Sequence, residues 1–257
     1  MFRRARIAVL LYVMLFVAAG QYLTAARSTD WDSTLWVDVY PLSDGSRTAS
    51  DYVAKLDLDE LKGVERFFAR EARRHGVALE QPFRLNLAPP IAGPLPVLAS
   101  GASLLDTIGW SLRMRWLATR LQWNSTRPRA DIVVFAIYHD GAATPVLDRS
   151  LAIEKGLIAV ANLFAARAAR GSNQVVLAHE LLHTLGASDK YAPGTNLPRV
   201  PDGLAAPTAQ PLYPQAQAEL MAGRIAVDAT TAETPDGLDA VVIGPMTAAE
   251  IGWPPSR

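Results

Sequence analysis

Residues 179–189 read HELLHTLGASD, and this stretch decides how the rest of the chain is interpreted. His179 and His183 are four positions apart, so in a helix their side chains stand one turn apart on the same face. Two imidazoles in that arrangement can bind a single zinc ion. Glu180 follows His179 directly and is rotated around the helix, where a general base can reach water. The stretch therefore predicts a metal-binding helix with hydrolytic chemistry.

The flanking residues predict where this helix begins and ends. Gly171, Ser172 and Asn173 are suited to open it. Gly186 can adopt the positive φ angle of a sharp turn at little cost, which is suited to end it. Asp189 lies three residues beyond that turn. The returning chain is therefore expected to present Asp189 as a third ligand.

The ligands must come from histidine and carboxylate side chains, because the 257-residue chain contains no cysteine. Two interpretations of the third ligand remain open: either Asp189 completes the site, or Asp189 only caps the helix end and Glu219 is the ligand. Two neutral histidines and one aspartate give a zinc site a net charge of about +1. We therefore expect Glu180 to carry much of the water activation, with activity that peaks near or above neutral pH.

The spacing H-E-x-x-H-x-x-G-x-x-D over residues 179–189 resembles that of the metzincins, a group of zincin metallopeptidases whose third ligand is usually histidine. The aspartate variant is similar to the pattern of the snapalysin family of small neutral proteases. The resemblance covers about residues 172–189. It implies one zinc ion and a catalytic glutamate. By position, the zinc ligands would be His179, His183 and Asp189, and the catalytic base would be Glu180.

Metzincins also carry a methionine turn beneath the zinc site, and Met221 in the stretch Leu220–Gly223 is the candidate here. The alternative is that Met221 simply fills the core. Many metzincins have a tyrosine two residues after this methionine, but that place holds Gly223. Tyr191 and Tyr213 are the candidates that remain for stabilising an oxyanion.

The N-terminal segment, residues 1–26, has the composition of an export signal. Three arginines precede the apolar run IAVLLYVMLFVAAG at residues 7–20. Extended to Ala26, the run has about 20 residues, enough helix to span a bilayer. A cleaved signal peptide and a retained membrane anchor are therefore both possible. Since the positive charges precede the run, either alternative places the body on the periplasmic or extracellular side.

The body of the chain, residues 27–257, alternates between strand and helix patterns. Strands are expected at 34–41, 83–87, 131–138, 145–151 and 156–162, and helices from Asp57 or Asp59 to about His75 and from 103 to 123. The run DIVVFAIY at 131–138 is typical of a central strand buried on both faces. The resemblance to zincins implies that the strand at 156–162 forms the sheet edge along which an extended substrate pairs.

These patterns predict an α/β fold, and the resemblance of the motif implies that it is of the zincin-like α+β kind. A mixed, mostly parallel sheet and the active-site helix form an upper lobe at about 27–186, and a loop-rich lower lobe follows at about 187–257. Six prolines between Tyr191 and Pro214 predict a long loop beside the cleft. Thr247 and Glu250 have the spacing of a capping box that opens a last helix. The helix at 103–123 is expected to bury Leu105, Ile108, Leu112, Trp116 and Leu117.

The remaining features bear on partners. Lysine and arginine together equal aspartate and glutamate at 25 each, so the chain lacks the basic excess of nucleic-acid binders. Five arginines between Arg113 and Arg129 are interpreted as a solvated helix face, and His75 and His139 as surface or loop residues. We expect a peptide or protein substrate. The alternatives are a non-catalytic envelope protein with a zincin fold and a zinc hydrolase of a non-peptide cell-wall amide.

Overall fold

The computed structural model describes residues 29–98, 101–123, 128–144, 147, 151–153 and 157–254. The predicted signal or anchor at 1–26, Arg127 and most of the strand predicted at 145–151 lie outside the described residues. In the part of the chain that is described, no helix is both long enough and apolar enough to cross a membrane.

A five-stranded sheet with the order β2-β1-β3-β5-β4 forms the centre of the molecule. Strands β1 (Leu35–Ser43), β2 (Phe83–Leu87), β3 (Ile132–His139) and β5 (Ile158–Phe164) are parallel to one another. Strand β4 (Leu151–Ile153) is antiparallel at one edge. Strand β3 lies between β1 and β5 and is buried along most of its length, as predicted for the central strand. The predicted mixed, mostly parallel α/β sheet is confirmed.

The expectation that the strand at 156–162 forms the sheet edge is wrong. Residues 151–153 pair with Ile158–Val160 of β5, so β4 occupies that edge. The described strand β4 shares only Leu151 with the strand predicted at 145–151 and extends to Ile153, and three residues are too few to show a period.

Three helices cover one face of the sheet: α1 (Arg47–Val53), α2 (Asp59–Arg74) and α4 (Arg170–Thr184). Helix α2 buries the predicted face, namely Leu61, Val64, Phe68 and Ala72. It is followed by Gly76 in a left-handed conformation with φ of +71°. At its start, Asp57 Oδ1 accepts a hydrogen bond from the Asp59 amide at 2.9 Å.

Helix α3 (Leu104–Trp123) covers the opposite face, but it turns the predicted apolar face outward. Its buried residues are Trp110, Met114 and Ala118, whereas Leu105, Ile108, Leu112 and Trp116 are exposed and Leu117 is partly buried. Apolar residues recur every four positions along two faces of this helix, so periodicity alone does not choose between them. The observed face carries the smaller Ala118 and the flexible Met114, which pack closely on the sheet.

The C-terminal lobe is rich in loops, as predicted. From Leu185 to Gln217 the described chain forms isolated β-bridges. It contains no helix there and no strand of two or more residues. Two short strand pairs follow, β6 (Ala218–Glu219) with β9 (Val241–Val242) and β7 (Ile225–Ala226) with β8 (Ala232–Glu233).

The last helix, α5 (Pro245–Glu250), does not start with the predicted capping box. It begins after Gly244 with Pro245 in its first turn, where a missing amide proton costs nothing. Thr247 is buried inside the helix and donates its hydroxyl proton to Glu219. Glu250 binds Ser188 and Lys190 instead. Both side chains have distant partners that a local pattern does not reveal.

The histidines outside the motif have different environments. His75 is buried, not on the surface as expected, and its ring nitrogens face the carbonyl oxygens of Ile243 and Pro254. His139 lies at the end of β3, partly exposed, with Nε2 at 2.9 Å from Asn162 Oδ1. Among the described residues, neither belongs to the candidate metal group of His179, Glu180 and His183.

Candidate metal centre

Helix α4 carries the motif and is fixed to the sheet at its N-terminal end. Asn173 does not cap the helix as predicted: its amide accepts from the Phe164 amide and donates to the Phe164 carbonyl, both at 2.9 Å, which joins the helix to β5. Gly171 lets the start of the helix approach residue 236 closely, since a Cβ atom there would meet the Asp236 carbonyl oxygen at 1.9 Å. Position and direction of the helix are therefore both fixed.

The two motif histidines are oriented by backbone carbonyl groups. His179 Nδ1 is 3.0 Å from the Leu220 oxygen, and His183 Nδ1 is 2.7 Å from the Ala187 oxygen. A carbonyl oxygen can only accept, so each Nδ1 carries a proton. In the neutral rings the lone pairs are then on Nε2, and the two Nε2 atoms face each other at 2.9 Å. This is the tautomer that metal-binding histidines use.

The turn after the helix brings Asp189 to the histidines, as the spacing predicts. Gly186 has a φ of +97°, and the Ala187 amide donates back to the Leu182 carbonyl at 3.1 Å. Asp189 Oδ1 then lies 3.2 Å from His179 Nε2 and 3.1 Å from His183 Nε2. Two nitrogens and one carboxylate oxygen thus form a nearly equilateral triangle.

The triangle fits a small divalent cation. With both Nδ1 protons donated elsewhere, three electron-rich atoms face one another, and Asp189 Oδ1 is buried without a hydrogen-bond donor among the described residues. Such an arrangement is repulsive unless a cation or a proton lies within it. Ligands at tetrahedral angles about 2.0–2.1 Å from zinc are about 3.3–3.4 Å apart, which is close to the observed separations. The donor set also suits zinc.

Protons compete for the same lone pairs when no metal is bound. Burial lowers the pKa of His179, but the protonated ring can donate to Asp189, and this bond together with the charge of Glu180 outweighs burial, so that this pKa lies above its usual value. Burial raises the pKa of Asp189, yet the two histidines hold it well below its usual range. The pocket is therefore strongly attractive for one positive charge, which either a proton or a metal can supply.

Glu180 lies beside the triangle. One of its carboxylate oxygens is within 4.8 Å of a ring nitrogen of each histidine. Its side chain is almost fully buried, and Oε2 has no hydrogen-bond donor among the described residues. Burial raises the pKa of Glu180, against the lowering effect of the two histidines. This environment is suited to a group that accepts and returns a proton.

A cavity of about 440 Å³ opens over these side chains. Besides the three ligand candidates and Glu180, its wall consists of Ser172, Val175, Val176, Tyr191, Gly223, Thr234 and Pro235. Of the two tyrosines predicted as oxyanion stabilisers, Tyr191 lines this cavity, whereas Tyr213 is not among its lining residues. A larger depression of about 710 Å³ lies between α1 and the first turns of α2 and α4, but its described lining contains no histidine.

The stretch predicted as a methionine turn, Leu220–Gly223, contacts the first motif histidine through the Leu220 carbonyl. Met221 is fully buried in the core, the Leu220 carbonyl holds His179, and the Met221 carbonyl accepts from the Lys190 amide at 2.9 Å. Glu219 is also fully buried, and its carboxylate accepts from Thr247, Gly244 and Ala222 at 2.6–3.1 Å. These bonds occupy the carboxylate of Glu219, whereas Asp189 Oδ1 lies beside the two histidines. Of the two interpretations of the third ligand, this geometry favours Asp189.

A buried ion pair next to Asp189 was not foreseen from the sequence. Lys190 Nζ lies 2.6 and 2.7 Å from the two carboxylate oxygens of Glu250, and Ser188 donates to the same carboxylate at 2.7 Å. Arg199 in turn donates to the Asp189 carbonyl oxygen. The partners are 60 residues apart, and no local spacing signals their contact. Together they fix the loop that presents Asp189.

Comparison with known proteins adds nothing to this geometry. No protein-family model matches the chain, and no curated protein matches it significantly. The assignment of the site rests on the arrangement of its own residues.

Proposed function

We propose that this chain is a zinc-dependent metallopeptidase of the zincin class, with a metzincin-like site, that hydrolyses peptide bonds outside the cytoplasm. The observation that carries the proposal is the triangle of His179 Nε2, His183 Nε2 and Asp189 Oδ1, three acceptors within 3.2 Å of one another. The buried carboxylate of Glu180 beside it supports a catalytic role over purely structural metal binding, because a structural site needs no base.

Each residue of the site has a role in this proposal. His179, His183 and Asp189 would hold one zinc ion. Zinc at this position supplies Lewis-acid chemistry, since it makes water more acidic and polarises a carbonyl group. Glu180 takes the proton of the attacking water and later passes it to the leaving amine. Its raised pKa favours the first step, because a carboxylate with a higher pKa is a stronger base.

The cavity supports a peptide or protein as the substrate. Val175, Val176 and Pro235 give part of its wall an apolar surface, while Tyr191 places a hydroxyl-bearing ring at the rim near the ligands. A side chain of the substrate can pack on the apolar part while Tyr191 stabilises the oxyanion. Export is supported by the sequence of residues 1–26, either as a cleaved signal or as an anchor in the inner membrane.

The test is the Glu180→Gln substitution, which keeps the shape of the side chain and removes the base. We expect the variant to bind zinc as the wild type does and to lose hydrolysis of a peptide library by at least about 100-fold, the scale of general-base catalysis. Glu233→Gln, at an exposed position of β8, is the matched control.

Three other results would contradict the proposal. Equal peptide hydrolysis by the wild type and Glu180→Gln would exclude the catalytic base. Absence of peptide hydrolysis together with cleavage of cell-wall fragments would favour the non-peptide amide alternative. Stoichiometric zinc without any hydrolysis in the wild type would favour a non-catalytic envelope protein.

A further inference from the structure

Helix α3 presents an apolar stripe to the outside along its whole length. Its exposed apolar side chains are 47–83% accessible, and they are Leu104, Leu105, Ile108, Leu112, Trp116 and Trp123. Four of them follow at intervals of four residues, so they lie on one side of the 20-residue helix. Contiguous apolar surface of this extent in a water-soluble domain normally marks a site of interaction.

Basic side chains border this stripe. Arg113 and Arg120 are exposed, and the Arg120 guanidinium lies over the Trp116 ring at 5.2 Å from its centroid. Asp106 is the only acidic residue of the helix, and its carboxylate already accepts from Ser103. Arg129, also exposed, follows the helix. The surface is therefore apolar with a positive border, and it complements an apolar partner with negative charges at its rim.

The stripe and the metal centre lie on opposite sides of the sheet. Trp110, Met114 and Ala118 of α3 pack on one face with Phe135, whereas α4 and its histidines pack on the other. A partner bound along the stripe would leave the cavity at His179 accessible.

The stripe also ends near the point where the described chain begins. Helix α3 leads from the end of β2 back to the start of β3. Trp123 therefore lies at the end of the sheet where the parallel strands begin. Trp31 lies at the same end of the sheet, since its ring contacts Phe83, the first residue of β2. The described chain therefore begins at this end of the sheet, and residues 7–26 precede it in the sequence.

We propose that the exposed face of α3 docks on the surface of an anionic lipid bilayer. Leucine and isoleucine side chains enter the boundary between headgroups and acyl chains, tryptophans settle at headgroup level, and arginines reach the lipid phosphates. The positive charges of Arg113, Arg120 and Arg129 favour anionic lipid as the partner. A second copy of the chain would present the same basic face, and two such faces repel each other. The inference does not depend on the peptidase activity.

The absence of cysteine makes the test direct, because a single introduced thiol can be labelled selectively. The 257-residue chain is reconstituted with vesicles of equimolar phosphatidylcholine and phosphatidylglycerol that contain nitroxide lipids. Leu112→Cys on the stripe carries an environment-sensitive fluorophore, and Val200→Cys, exposed on the C-terminal lobe, carries it in the control. We expect a blue shift and quenching at position 112 and neither effect at position 200.

A second pair of variants tests the chemistry of the contact. Trp116→Glu, read through a label on Leu105→Cys, should abolish the blue shift and the quenching without changing the melting temperature, since Trp116 is exposed. Replacement of Arg113 or Arg120 by Gln should weaken docking about fivefold for each arginine on anionic vesicles. Vesicles of phosphatidylcholine alone should give weaker quenching than anionic vesicles.

Several outcomes would overturn the proposal. A label at position 112 that is not quenched in anionic vesicles excludes docking. A signal that grows with the protein-to-lipid ratio assigns the face to a second copy of the chain. A blue-shifted label that nitroxide lipids do not quench assigns it to another segment of the same chain. Equal quenching at positions 112 and 200 indicates non-specific adsorption.

Discussion

Asp189 is placed by a single glycine turn and receives no hydrogen bond on Oδ1 from the described residues. Its spacing from His183 made it the foremost candidate for the third ligand, and its location agrees with that expectation. What the spacing could not predict is how the loop is fixed, because Lys190 and Arg199 hold it through contacts with Glu250 and with the Asp189 carbonyl. Local geometry was predictable here, and distant support was not.

The Asp189→Asn substitution separates a ligand from a helix-end residue. The amide it introduces is neutral and can donate to an Nε2 lone pair, so the metal-free fold should keep its stability. Loss of a residue that only supports a metal ligand typically lowers metal affinity by roughly 10- to 100-fold. Because Asp189 is expected to bind the metal directly, zinc affinity should fall by more than this. Competition with a chelator measures the affinity, and exposed Asp202→Asn is the control. Unchanged affinity would show that this carboxylate does not bind the metal.

The pH dependence of zinc binding follows from the pKa of His179. That pKa is raised in the metal-free site, so protons begin to displace zinc above the usual histidine value near 6.5. Zinc affinity should be constant at high pH and should fall about tenfold per pH unit, for each proton displaced, once the pH drops below the raised pKa. Chelator competition between pH 5 and 9 gives the curve. A flat curve, or an activity optimum below about pH 6, would contradict the assignment.

At the scale of elements, the order and type of the main helices and strands were predictable from hydrophobic periodicity, but the orientation of α3 was not. Its two apolar faces offer equivalent patterns, and the sheet selects the one with Met114 and Ala118. Similarly, Thr247 and Glu250 match a capping box in sequence but bind Glu219 and Lys190. Tertiary hydrogen bonds compete with local ones, and only the folded chain decides between them.

Glu219 supports the stretch Leu220–Gly223 by accepting a hydrogen bond from the Ala222 amide. Its pKa predicts how the stability of the folded chain depends on pH. Burial raises this pKa although hydrogen bonds from Thr247, Gly244 and Ala222 oppose the rise. The folded state then binds the proton more tightly than the unfolded state does, so the contribution of this group to stability is largest at low pH. It declines as the pH rises from about 4.5, the usual value, through the raised pKa.

The Glu219→Gln substitution should remove that decline. Denaturant unfolding at several pH values should show that wild-type stability falls relative to the variant as the pH rises through this window. Exposed Glu233→Gln should retain the wild-type slope. The same slope in Glu219→Gln as in the wild type would exclude a raised pKa at this position.

At the scale of the whole molecule, zinc should stabilise the folded chain. The ligands come from α4 and from the loop after it, and His179 is also bonded to Leu220 in the C-terminal lobe. A metal that binds only the folded state adds about 4 kcal/mol to the free energy of unfolding when its free concentration is 1,000 times its dissociation constant. For a chain of this size that corresponds to a melting temperature roughly 10 °C higher. Calorimetry with zinc and with a chelator provides the measurement, and equal melting temperatures would contradict a native zinc site.

Contacts between remote parts of the chain were the least predictable feature of the fold. Trp31 donates its indole proton to the Ile251 carbonyl at 2.7 Å and packs against Trp253, which joins the first described residues to the last. Neither tryptophan belongs to a periodic pattern. Their association depends on where the sheet ends and on how the loops return, and neither is encoded over a short window.

The ion pair of Lys190 with Glu250 has a consequence for chain synthesis and for processing by other enzymes. A nascent or clipped polypeptide that stops before position 250 contains the whole motif, but it lacks the carboxylate that binds Lys190 and Ser188 beside Asp189. The loop of Asp189 then keeps only the contacts of Arg199 and of the Lys190 amide. We therefore expect such a product to bind metal more weakly than the full chain, although all three candidate ligands are present.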